Sequence, residues 1–128
     1  MLLVAFCFGI PAFAGSQAIE LNVDLSLNGK HIMSPKILAK DGEKTTVTSG
    51  QGAERTYMEV IATERLLNNK KAVQMNFVIG TINAGGKKTV LSNSTLITRE
   101  NNRGEIQTVE ENGEAIVISA KPTMRTAQ

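Results

Sequence analysis

The chain has 128 residues, 14 basic and 12 acidic side chains, a net charge of +2, one cysteine and one histidine. That balance offers no basic footprint for nucleic acid, and a lone histidine excludes a metal centre built from two or more imidazoles of one chain. Three of the four Phe fall in the first fourteen residues, so Tyr57 and Phe77 are the only aromatics of the rest, too few for a base-stacking surface.

The first element is the opening stretch MLLVAFCFGIPAFA, which has no charged side chain. It reads as a cleavable export signal over residues 1–14. Leu2 to Ile10 has the length of a signal core, Pro11 breaks it, and Ala12 and Ala14 are the small residues that a signal peptidase reads. Its only positive charge is the N-terminal amine, which raises a start site further upstream as an alternative. The apolar run is shorter than the roughly 20 residues that cross a bilayer, and Cys7 lies inside it with too few residues before it for lipidation. With Cys7 lost, the mature chain has no thiol, and packing alone must hold it. Residues 15–121 are expected to form a single β-domain, with 122–128 a flexible C-terminal tail after Pro122.

Ile19, Leu21, Val23, Leu25 and Leu27 then alternate with polar residues, a period of two that puts every apolar side chain on one face of a strand. Asn28-Gly29 tolerates the positive φ values of a two-residue turn. Ile32 to Gly50 reads as strand, tight turn, strand. Its first arm, from about His31 to Lys40, carries Pro35, which cannot donate a ladder hydrogen bond and so belongs at an edge or a bulge, with Ile37 and Ala39 facing inward. Asp41-Gly42 reverses the chain into a β-branched arm, Glu43 to Ser49, and Gly50-Gln51-Gly52 forms a corner.

Between Thr56 and Leu67, a period of two competes with one of 3.6. Met58, Val60, Ala62 and Leu66 fit a strand, whereas Met58, Ile61, Ala62, Arg65 and Leu66 fit a helical stripe. Strand is the preferred reading, because Asn68-Asn69-Lys70 turns directly into Ala72 to Ile79 and completes a long hairpin. Asn83 to Gly86 is the next turn, Lys88 to Thr98 and Glu105 to Glu110 are strands, and Glu114 to Ala120 is an apolar run expected to be covered on both faces. The fold class is therefore all-β: an antiparallel β-sandwich or small β-barrel of about eight strands.

Leu38 to Ser49 (LAKDGEKTTVTS) and Val109 to Ala120 (VEENGEAIVISA) align without gaps on [Asp/Asn]-Gly-Glu followed by a β-branched run. With Ser34-Pro35 ahead of it, the first copy resembles a signature of the secretin homology domain of type II and III secretion and type IV pilus systems. The second copy resembles that domain's closing strand, and Tyr57 to Ile79 resembles its long hairpin. The chain departs from the family in lacking Val-Pro-Tyr after Gly50, in having Ser119-Ala120 where Gly-Gly would stand, and in being shorter. The resemblance implies a minimal, secretin-like β-sandwich without the pore, similar to the periplasmic part of some membrane-anchored peptidase sensors.

No constellation of residues announces catalysis. His31 could join Asp24 or Asp41 in a Ser-His-Asp assembly, but no nucleophile elbow or oxyanion loop accompanies it, and it reads as a solvated residue beside a turn. Asp24-x-Ser26-x-Asn28-Gly29 imitates the start of a calcium loop and fails at the twelfth position, which is Pro35. GTINAGGKKT (Gly80 to Thr89) imitates a phosphate loop, yet a strand and not a helix follows it. Asn93-Ser94-Thr95 is a formal glycosylation triplet, and Glu110, Glu111 and Glu114 read as a solvated hairpin tip.

These readings lead to a periplasmic, non-enzymatic β-domain with no cofactor, no nucleic-acid partner and no stable membrane insertion. Its partners are expected among envelope or secretion-system proteins, met through an exposed edge strand such as the one carrying Pro35. The sequence does not set its oligomeric state. Two alternatives stay open: an eight-stranded outer-membrane barrel, and an enzymatic or ligand-binding module with a pocket around Glu64 and Arg65 or His31.

Overall fold

The computed structural model describes residues 17–50, 55–110 and 113–126. The stretch read as an export signal, Gln51-Gly52, Glu111-Asn112 and the last two residues lie outside the described residues. Nine strands run in order: β1 (Gln17–Leu27), β2 (Lys30–Met33), β3 (Lys36–Lys40), β4 (Lys44–Ser49), β5 (Arg55–Leu67), β6 (Lys70–Ile82), β7 (Lys88–Arg99), β8 (Gly104–Val109) and β9 (Ala115–Thr126). No α-helix occurs among the described residues, so the strand reading of Thr56 to Leu67 holds.

The strands form two antiparallel sheets. One has the order β2-β1-β9-β8, with β3 also paired to β1, and the other is a meander, β4-β5-β6-β7. The sheets do not close into a barrel, which leaves the sandwich of the two architectures expected. Alternation explains the packing: Ile19, Leu21, Val23 and Leu25 of β1 meet Met58, Val60 and Ala62 of β5 and Met75, Phe77 and Ile79 of β6 in one core, with Ile116, Ile118 and Ala120 from β9. The intervening residues face outward on each sheet.

Three local features bend the chain as the sequence requires. β2 and β3 are one edge strand in two pieces. The register slips opposite Leu25 and Ser26, where β2 carries one extra residue, Ile32, while Ser34-Pro35 stays in register and the Pro35 carbonyl accepts from the Val23 N–H at 3.0 Å. The β5–β6 hairpin turns on Asn68 and Asn69, both at positive φ (53° and 65°), the geometry of a type I′ turn. At the next turn the Asn83 Oδ1 accepts from the N–H groups of Gly85 and Lys87, each at 2.9 Å.

Four expectations need correction. The Asp41-Gly42 turn does not make a hairpin: β3 pairs with β1 and β4 with β5, so the turn carries the chain from one sheet to the other. It is pinned there by Gly42 N–H to Ala62 O (2.7 Å) and Glu64 N–H to Asp41 Oδ1 (2.5 Å). Val109 to Ala120 is a true hairpin, β8–β9, within one sheet, so the two aligned segments play different structural roles. Leu66, counted with the inward residues, lies where the hairpin outruns the sandwich and is 71% exposed.

The flexible tail expected from Pro122 is not seen, because β9 continues to Thr126 and pairs with β1 throughout. Pro122 is tolerated because its carbonyl accepts from Asn101 N–H at 2.7 Å, on the side away from β1. Its missing N–H therefore falls on that same side, past the end of β8, where no ladder bond is lost. Finally, β9 is paired along both edges from Ile116 to Ala120, but of its residues 115–125 only Ile116, Ile118, Ala120 and Pro122 are buried, so its outer face is half-covered.

Candidate functional site

Two polar lines cross the outer face of the β1 sheet. In the first, the Ser34 hydroxyl, set across from Asp24 by the register of the edge strand, donates to Asp24 Oδ1 at 2.5 Å, and His31 Nε2 lies 2.6 Å from the same hydroxyl oxygen. Arg103 Nη1 then bridges Asp24 Oδ2 (3.2 Å) and Ser119 Oγ (2.8 Å). The structure thus brings His31, a serine and Asp24 together, and the spacing arguments missed Ser34. A serine beside the one Pro that must break an edge strand was the available signal.

The order of the three is wrong for nucleophilic catalysis. A triad sets histidine between the serine and the carboxylate. Here Ser34 is in the middle, its single proton is already given to Asp24, and His31 must donate to it. His31 and Ser34 are both exposed on the outer face. The line therefore works as a stitch that ties the broken edge to β1, β9 and the start of β8. Asp41, the other carboxylate considered for His31, is engaged at the sheet corner instead.

In the second line, Glu20 (side chain 11% exposed) is held by Arg125 Nε at 2.5 Å and Lys36 Nζ at 3.5 Å. Burial by itself would raise its pKa. The hydrogen bond and charge of Arg125, followed by Lys36, more than offset this and leave the carboxyl below its ordinary value of 4.5. A lowered carboxylate pKa stabilises the fold fully above the ordinary value, and the contribution is lost as pH falls through the lowered one. Glu20→Gln should therefore be less stable than the parent at pH 7, with the gap closing below about pH 4.5. Urea unfolding at pH 7 and pH 3 checks this, and an equal gap at both would show that the ion pairs contribute nothing.

The outer face of the meander carries a different arrangement. Tyr57 is only 2% exposed yet is not part of the central core. It lies across Gly80, its register partner on β6, and Lys88 Nζ sits 5.0 Å from its ring centroid. Glu59 is shared by Lys44 (3.7 Å) and Lys88 (3.8 Å). Beside it, Lys44, Glu59, Ile61, Asn76, Val78 and Asn93 line a shallow hollow of about 290 Å³. Gly80 is thus a packing glycine inside β6, not the start of a phosphate loop. A glycine interrupting an alternating strand of a chain with a single tyrosine was the cue.

A second hollow, about 490 Å³ and wide open to solvent, is lined by Asp41, Glu64, Arg65 and Leu66. It coincides with the pocket position considered for an enzymatic module. Its polar groups are occupied structurally: Asp41 accepts from Glu64 N–H, and Arg65 Nε donates to Gln74 Oε1 at 3.2 Å. Of the calcium-loop mimic, Asp24 belongs to the first stitch, and Asn28 sits at φ 53° with its side-chain oxygen taken by Ala115 N–H. Among the described residues no group of three or more His, Cys, Asp or Glu could hold a metal ion.

The sheet edges are unequal. β2 and β3 are short and carry Lys30, Lys36 and Lys40, β4 and β8 have six residues each, and β7 has twelve. From Thr89 to Thr98, β7 has no charge, Gly or Pro, and it exposes Val90 (60%) and Ile97 (48%). It is paired to β6 on one side only. Family models, curated proteins and solved structures were all compared with the chain, and none matches it.

Proposed function

We propose that the chain is a small exported β-domain of the bacterial periplasm that works through protein contacts at a sheet edge and not by catalysis. The observation that carries this is β7: a long edge, uncharged from Thr89 to Thr98, with exposed Val90 and Ile97. Soluble sandwiches normally blunt their edges with lysine, proline or short length, as the β2–β3 edge does here. An edge with ten consecutive uncharged residues, Thr89 to Thr98, interrupted by one register shift at Leu91, can accept a partner strand, with backbone pairing supplying affinity and alternate side chains supplying specificity. The contact expected on the Pro35 edge is accordingly assigned to β7.

The secretin-like order of segments adds an accessory role in a secretion, pilus or envelope assembly to this reading. The outer-membrane alternative needs a closed barrel with an apolar outer band, whereas the outer faces here bear Glu20, Asp24, Lys36, Glu59 and Lys44. The test is photocrosslinking in cells. A photoreactive residue at Val90 or Ile97 should give a discrete crosslinked product in the osmotic-shock fraction, and one at Lys40 or Val109 should not. Absence of any product at β7, or the same product at all four positions, overturns the proposal.

A further inference from the structure

The ends of β7 say what kind of strand fits it. Lys87 and Lys88 stand at one end and Arg99 at the other. Arg99 opposes Ala72, which also opposes Arg65, so a second guanidinium lies on the same outer face, two strands away. The Lys71 carbonyl accepts from Glu100 N–H at 3.2 Å, which brings Lys71 to this end as well. Against these stand Glu100 beside Arg99 and Glu59, ion-paired to Lys88, so each end keeps a positive excess, and the ten residues between them are neutral.

A second copy of the chain fits this edge poorly. Antiparallel self-pairing sets Lys88 of each copy against Arg99 of the other, and parallel pairing sets like ends side by side, in both cases opposing like charges. We infer that the occupant of the β7 edge is an extended segment of another protein with a carboxylate at each end and an uncharged, β-branched middle. Its carboxylates meet Lys88 and Arg99, and its outward aliphatic side chains cover Val90 and Ile97. This rests on the strand-addition reading of β7 and adds the chemistry of the partner.

Titration of the mature protein with labelled twelve-residue peptides tests it, using alternating Ser and Val with Glu at both ends or with Lys at both ends. Fluorescence anisotropy should show the Glu-ended peptide binding about tenfold more tightly, the scale of two exposed ion pairs. The preference should shrink with added salt. Arg99→Glu should narrow it, and Val90→Lys with Ile97→Lys should weaken both peptides alike. Because Lys88 also touches Tyr57 and Glu59, the parent protein with the two peptides is the deciding arm. Equal binding of the two peptides, or tighter binding of the Lys-ended one, overturns the charge inference. If crosslinks form at Val90 in cells while the peptides show no preference, the edge reading stands and only the inferred chemistry fails; binding of neither peptide together with no crosslink removes both.

Discussion

Phe77→Ala should lower the unfolding free energy by about 3–5 kcal/mol, the largest loss expected from a single truncation in this domain. Phe77 is fully buried on β6, an inner strand of the meander, where it opposes Val60 of β5 and Ser94 of β7. It is one of the two largest fully buried side chains and the larger of those in the central core. Removing the ring costs its transfer free energy and leaves a cavity that paired strands on both sides cannot collapse to fill. Since a domain of this size has about 5–15 kcal/mol in total and a chain with one cysteine has no internal disulfide, the variant should be close to the limit of folding at 37 °C. Phe77→Leu keeps most of the volume and should cost under about 1.5 kcal/mol. Urea unfolding of both variants checks this, and a loss below 1 kcal/mol for the alanine variant would mean that the core is not built around this ring.

Gly80→Ala should be nearly as damaging, although it adds a single methyl group. A Cβ there would stand 2.3 Å from the Thr89 carbonyl oxygen and 2.6 Å from both Cε1 and the hydroxyl of Tyr57. The first of these contacts is with backbone, beside the point where the β6–β7 register shifts, so the strand itself must move. Overpacking of this kind costs about 1–3 kcal/mol and sometimes more. The informative control is Tyr57→Ala combined with Gly80→Ala. It removes the ring clash and keeps the carbonyl clash, so the glycine substitution should still destabilise when introduced into the Tyr57→Ala background. Thermal unfolding of the four proteins of this cycle measures the coupling. If Gly80→Ala becomes neutral without the ring, the backbone contact is not the cause.

Alternation in β1 and β5 showed which side chains are inward, because in a strand the side-chain period is a property of the backbone. It did not show which sheet a strand joins. Asp41-Gly42 fits a hairpin and a sheet crossing equally well, because its dipeptide specifies local φ values and not the pairing partner. Leu66 follows the inward parity and is exposed because strand length, which periodicity does not measure, carries it past the core. Pro122 looked like a stop because it lacks an N–H, and that lack matters only on the side where a ladder runs.

The polar lines were less visible still. Asp24 and Arg103, or Glu20 and Arg125, are far apart in sequence and meet only through the β1–β9 register. His31 was weighed with Asp24, but the serine between them faces Asp24 only through the register of the edge strand on β1, which no spacing rule encodes. β7 was readable as a strand. That it is an unprotected edge follows from the order of strands around it.

The pairing of β1 with β9 along eleven positions also sets when this protein can finish folding. The meander β4 to β7 is contiguous in sequence and can assemble from local contacts. The other sheet is joined across its centre by strands from opposite ends of the domain, a closure that is entropically slow. As the chain emerges N-terminal first, β1 must wait with one edge of its ladder open until β9 arrives. That interval, and not the finished domain, is when the protein is most exposed to aggregation.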